Sequence, residues 1–143
     1  MKNSELHLRN NHLLENAFAL LFAADYFQDN RMHKYAGKLL TRGLKEQILD
    51  DGAHFELCPM YHIWVVNRML EAIQVLRRTS FAAVTLLESL NKYTSKMLGW
   101  ISQMQFTNGT LPSINDSAAG YGPSVTAILK TAGELGLQSK YFR

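Results

Sequence analysis

A second cysteine is missing. Cys58 is the only one in the chain, so no disulfide can close within it, and cysteine usage leaves the redox compartment open. Its plainest reading is a small core residue, because free cysteine is among the most buried residue types. Long apolar runs are missing too. The stretch Ala17 to Ala24 is about half of the roughly 20 residues that a membrane-spanning helix needs, and Asp25 closes it, so no transmembrane helix is expected. The N-terminus passes through Lys2, Asn3, Ser4, Glu5 and Arg9 before any apolar segment, and without a small-residue cleavage motif it does not read as an export signal. Concentrated charge is absent as well. The net charge is +3, but Arg77 and Arg78 are the only adjacent basic pair. Scattered cations describe a solvated surface, which argues against a nucleic-acid partner.

What is present describes one helical domain over residues 1–143. The chain is 47% hydrophobic and 19% charged, enough to bury one ordinary core. No run of alternating β-branched residues is bounded by turn signals, and apolar spacing is helical almost throughout. A first helix is predicted from about Asn11 to Phe27, with Leu13, Leu14, Ala17, Phe18, Leu20, Leu21, Ala24 and Phe27 covering more than one face, as in a helix buried on both sides. A second, about Arg31 to Asp50, is amphipathic. Pro59 suits the first turn of a third helix reaching about Arg77. Ser80 is expected to cap a fourth from about Phe81 to Phe106, and a last helix lies near Pro123 to Leu135, ended by Gly136.

The two long loops share a pattern. Each follows a long helix with Asp-Gly or Asn-Gly, then an apolar residue and a proline, and their glycines, Gly52 and Gly109, stand 57 residues apart. Such self-similarity is what stacked helical hairpins produce when each repeat is one helix pair. The expected architecture is an array of antiparallel α-hairpins.

Polar residues with chemical potential gather in two places. His12 and Glu15, at i and i+3, project from one side of the first helix near its start. His54, Glu56, Tyr61 and His62 surround the glycine loop and the start of the third helix. Stacked hairpins would open both helix N-termini on one rim, where free backbone N–H groups favour anions. Plainer readings stand beside these: Asn10 or Asn11 as a helix cap, His12 with Glu15 as a local pair, Tyr61 as a core residue with its hydroxyl tied off. His54, Glu56 and His62 could ligate a metal, although no HxxxH or CxxC spacing is present. Cys58 with a histidine could form a thiol nucleophile pair.

The segments Asn-Asn-His-Leu-Leu-Glu-Asn at 10–16 and Gln-Ile-Leu-Asp-Asp-Gly-Ala-His-Phe-Glu-Leu-Cys-Pro-Met-Tyr-His at 47–62 resemble the two signature blocks of heparinase II/III-type proteins, in matching order and spacing. Asn108-Gly-Thr-Leu-Pro through Asn115-Asp-Ser-Ala resembles a third block, and the likeness spans about residues 10–135. Cys58 departs from the pattern, standing where serine is expected in most relatives. The resemblance implies an all-α domain that is part of an incomplete (α/α) toroid, with the β-sandwich that completes the family's cleft, and a further catalytic histidine on it, not contained in this sequence. It implies β-elimination on an acidic, uronate-containing polysaccharide such as a glycosaminoglycan. His12 would neutralise the uronate carboxylate, and Tyr61 would act as base at C5 and acid at the glycosidic oxygen, its pKa drawn down by neighbouring positive charge. Asn11, Glu15, His54, Glu56, His62 and Asp116 would hold substrate. No metal or cofactor is implied, and a periplasmic or cell-envelope setting would be usual.

The alternative from a different class is a non-catalytic carbohydrate-binding or assembly domain. In either case an incomplete toroid leaves apolar surface where further hairpins would stack, so homo-oligomers through those ends are expected.

Overall fold

The computed structural model describes residues 11–81, 83–118 and 120–137. Asn10 and the N-terminal segment read above for an export signal lie outside them. Five helices follow one another: α1 (Asn11–Tyr26), α2 (Asn30–Gln47), α3 (Pro59–Leu76), α4 (Val84–Met104) and α5 (Val125–Glu134). The only strand-like pairing among the described residues is an isolated bridge between Ile48 and His54. The fold is all-α, as the apolar spacing predicts.

Sequence-local chemistry sets most helix ends. Asp29 caps α2, its carboxylate accepting from the N–H groups of Arg31 at 2.8 Å and Met32 at 3.0 Å. The chain enters that cap through Gln28 in a left-handed conformation, so α1 stops at Tyr26 and Phe27 lies exposed in the turn. Phe27 is therefore not part of the buried face of α1. Pro59 opens α3 as expected. The expected Ser80 cap is a correction: α4 begins later, at Val84, behind Ala83, which supplies no side-chain cap bond. Ser124 caps α5 through Ala127 N–H at 3.2 Å, and left-handed Gly136 follows its end.

The helices form two layers. Leu14 of α1 lies against Gly43 near the end of α2, so α1 and α2 are antiparallel across their short turn. His62 at the start of α3 bonds Met97 in the later half of α4, so α3 and α4 are antiparallel as well. Gly37 meets Leu86 early in α4, while Asp50, past the end of α2, meets Lys96 further along, so α2 and α4 run the same way. It follows that α1 and α3 are parallel. α5 joins them: Gly122, just before α5, packs on Trp64, and Arg77 at the far end of α3 donates to the Leu135 carbonyl at 2.8 Å. One layer is α1, α3 and α5, with all three N-termini on one rim, and the other is α2 and α4. Between them lies the core, with Phe18, Leu21, Leu40, Leu44, Met69, Ile73, Leu90 and Leu98 all inaccessible or nearly so.

The repeat is geometric as well as textual. Leu49 N–H donates to Ala53 O and Gly52 N–H to Leu49 O, at 2.9 and 3.0 Å; 57 positions later Phe106 N–H donates to Thr110 O and Gly109 N–H to Phe106 O, at 2.8 and 2.9 Å. Asp51 and Asn108 each accept from the backbone N–H two residues on, the Asx turn these residues favour. Gly52 and Gly109 are both left-handed. Gly52 has a second constraint, because an added Cβ would collide with the backbone carbonyl of Lys96 on α4. Gly52→Ala is expected to cost about 2–4 kcal/mol from left-handed strain and this clash, read as a lower urea midpoint with an unchanged slope. A midpoint equal to wild type would show that the loop does not seat against α4 in this way.

Candidate functional site

The rim carrying the N-termini of α1, α3 and α5 is where the predicted residues fall. The loop between α4 and α5 folds over the start of α3 and is tied there. Ser117 Oγ accepts from Met60 N–H at 3.2 Å and lies 3.3 Å from Cys58 Sγ, and Asn115 Nδ2 donates to Leu57 O at 2.7 Å. The third sequence block is thereby brought onto the second. Between them opens a cavity of about 480 Å³, walled by Pro59, Met60 and Ile63 of α3 and by loop residues including Leu111 and the exposed Tyr121. Tyr61 is not among its lining residues. Cys58 is buried, in keeping with its plain reading as a core residue.

Tyr61 is partly buried near the start of α3. Its phenol is pushed above the ordinary tyrosine value, first by loss of solvent, then by the charges of Asp116, Cys58 and Glu56. This runs opposite to the expectation of a phenol drawn down by positive charge: among the described residues, the charges that act on it are acidic. The hydroxyl stays protonated at neutral pH.

From Tyr61 a line of side chains runs along α3 and across to α1. Trp64 and Arg68 follow at i+3 and i+7, the spacing of one helix face, and the Arg68 guanidinium lies 5.9 Å from the Trp64 ring centroid. Arg68 Nε bonds Glu15 at 3.1 Å, and its Nη1 bonds Glu71 at 2.7 Å. Glu15 is thus held by α3, and His12, one turn nearer the rim, is exposed. With α1 and α3 parallel, His12 and Tyr61 lie on the same side of the Glu15–Arg68 bridge. Asn11 opens α1, but its side chain lies outside what the structure describes. Arg68 and Trp64 were missed by sequence reasoning. Arg68 is the one lysine or arginine of α3 and stands seven residues after Tyr61, on the same helix face, and that was its signal.

His54 and His62, expected to hold substrate, are only 1% exposed each. Burial leaves neither ring a face for a sugar, and their partners explain why they are there. His62 Nε2–H donates to the Met97 carbonyl at 3.0 Å, its Nδ1 accepts from His54 N–H at 3.3 Å, and its ring stacks on Trp100 at 4.5 Å. With both nitrogens engaged, this imidazole has no lone pair left for a metal. His54 Nε2 lies 3.1 Å from the amide oxygen of Gln47. The two rings fasten the Gly52 loop between α2, α3 and α4. Burial pushes the pKa of His54 down to about 4 and that of His62 down to about 3. Glu56 is partly exposed and Asp116 exposed; of the residues assigned to substrate beyond the first helix, these two remain reachable.

Comparison with known proteins agrees with these blocks. Residues 3–139 match the family described as Heparinase II/III N-terminus. A heparin-sulfate lyase of Bacteroides stercoris is 26% identical over 111 residues, covering 75% of this chain and 16% of that protein. The chain spans less than a fifth of the length of this curated relative. No solved structure matches.

Proposed function

Because the chain belongs to the Heparinase II/III N-terminus family, we propose that it is the helical catalytic portion of a polysaccharide lyase that cleaves uronate-containing acidic glycans by β-elimination. The observation that carries this reading is the bridge from Glu15 of α1 through Arg68 to Trp64 of α3, with His12 one turn before Glu15 and Tyr61 one turn before Trp64. The B. stercoris relative, a heparin-sulfate lyase, supports an acidic polysaccharide as the substrate class.

In the reaction the proton on C5 leaves, the C4–O bond breaks, a C4=C5 double bond forms, and the departing oxygen takes up a proton. The C5 proton is barely acidic while the neighbouring carboxylate keeps its full charge. A donor on that carboxylate lowers the cost of the carbanion-like transition state, and His12 would supply it. Glu15, held by Arg68, positions that end of the strip. Tyr61, protonated at neutral pH and flanked by Asp116 and Glu56, suits the second half of the reaction, as general acid at the glycosidic oxygen. Abstraction at C5 by this phenol would need a cation, and the charges that act on it among the described residues are acidic. We assign that step to a group outside the described residues, such as the β-sandwich histidine implied by the resemblance. His54 and His62 act at a distance, by fixing the loop that leads to Tyr61.

The test is incubation of this chain, and of the longer protein containing it, with heparan sulfate, alginate and related polymers while absorbance of the unsaturated product is followed. Unsaturated ends are expected from the longer protein on at least one acidic glycan. Their absence on all of them would end the lyase reading, and glycan binding without turnover would establish the binding-module alternative instead. Self-association is a further expectation: Tyr26, Phe27, Val84 and Phe106 are large apolar residues left exposed. Light scattering on the isolated chain should give a mass above that of one copy, and a monomer at high concentration would refute it.

A further inference from the structure

The face opposite the Tyr61 strip carries a groove of about 600 Å³ between α2 and the start of α4. Lys34, Lys38, Arg42 and Lys45 line it from α2. Their steps of three and four residues put them on one helix face over roughly 16 Å. No acidic residue is among the lining side chains. Arg42 is engaged with Glu46 at 2.8 Å, whereas Lys34, Lys38 and Lys45 make no ion pair recorded among the described residues. Like charges repeated at i and i+4 weaken a helix, and no acidic side chain on the groove's lining offsets them.

The floor has a different chemistry. Phe81 and Leu86 contribute apolar surface, and Gly37 keeps the channel open beside Leu86, which an added Cβ would approach to 3.3 Å. His33, also on the lining, is 2% exposed, and its buried Nε2 has no hydrogen-bond partner among the described residues. A buried polar atom left unsatisfied is costly, and a ligand hydroxyl or acidic oxygen entering the groove could satisfy it. Cations along one wall, an apolar floor and one unsatisfied polar atom together fit a chain of sugar rings, whose faces are apolar and whose edges carry hydroxyl and anionic groups.

We propose that the groove between α2 and α4 is a second, non-catalytic site for a linear acidic polysaccharide, taking from the preceding reading only the chemical class of the ligand. It lies on the other layer from Tyr61, so it holds polymer without presenting it to the reacting strip. A polymer anchored there raises the local concentration of its remaining length around the protein.

The test is fluorescence anisotropy of a labelled heparan sulfate oligosaccharide with the 143-residue chain. The variants are Lys34→Gln, Lys38→Gln and Lys45→Gln combined, the same three positions changed to Arg, and Lys130→Gln, an exposed lysine of α5 that lines neither cavity. Loss of three cationic contacts to a polyanion should weaken binding by more than about tenfold and make the salt dependence shallower by about two to three in log–log slope. The arginine version should bind like wild type, and Lys130→Gln should change affinity less than about twofold. All three lysines are exposed, so matching melting curves are expected and would exclude unfolding as the cause. The proposal is overturned if the glutamine variant binds as tightly as wild type, or if neutral dextran competes as well as the acidic glycan. It is also overturned if an acidic peptide of equal charge binds more tightly, which would make the groove a protein-docking surface. Failure of turnover in the longer protein, with lysine-dependent glycan binding intact, would sink the lyase reading and leave this site standing.

Discussion

Lowering the pH from 7 to 5 is expected to remove roughly 3–4 kcal/mol of the stability of this chain, at about 1.4 kcal/mol for each pKa unit of each titrating group. The cause is the buried pair His54 and His62, whose folded-state values of about 4 and about 3 lie below the ordinary 6.5. The direction is fixed by which state protonates first. As pH falls through 6.5 the unfolded chain takes up protons on both rings while the folded chain refuses them, so unfolding gains free energy. The contribution is complete above about pH 6.5 and drains away as pH descends towards the folded-state values. His33 adds to the same trend, since burial lowers its pKa as well. Carboxylates titrate mostly below pH 5, so this window isolates the histidines. Against a typical total of about 5–15 kcal/mol, the melting temperature should fall by about 10 °C or more. Thermal melts at pH 7, 6 and 5 check this, and a melting temperature constant to within about 2 °C across the series would mean that the two rings are not sealed as the structure has them.

Replacing Tyr61 by phenylalanine in the longer protein should lower the turnover rate by about 10²–10⁴-fold with little change in KM, the usual loss when a general acid is removed. The ring stays, so its partial burial is kept, and only the proton donor is deleted. Loss confined to turnover distinguishes a proton-transfer role from one in holding substrate. A variant that retains more than about a tenth of the parent rate would take Tyr61 out of the chemistry. Asp116→Asn is a companion change. Removing that carboxylate should bring the phenol back towards its ordinary value, because Asp116 follows desolvation among the causes that raise it. The basic limb of the pH–rate profile should then move to lower pH.

Not every feature of this site was equally legible in the residues. The helices, the two Asx-Gly turns and the proline start of α3 follow from neighbours within a turn or two, and periodicity and local hydrogen-bonding chemistry make them readable. The expected Ser80 cap shows the limit even there: a good capping residue was present, yet α4 begins behind Ala83. His54 and His62 show a larger one. A histidine beside a glycine loop looks the same in sequence whether it faces a ligand or the carbonyl of Met97, which is 35 residues from His62. The environment of Tyr61 was likewise hidden, because Asp116 reaches it only after the α4–α5 loop folds back and Ser117 bonds Met60, 57 residues away.

The sequence by itself determined the helical class, the 57-residue repeat of its turns and the family to which the chain belongs, since each of these rests on short-range patterns or on blocks of consecutive residues. Tertiary structure alone decided which polar groups are sealed and which stay reachable. It also decided that the charges around the phenol are acidic, and that the cations of α2 line a groove on the other layer. Burial and electrostatic environment are properties of groups brought together across the fold, and no single segment of the chain contains them.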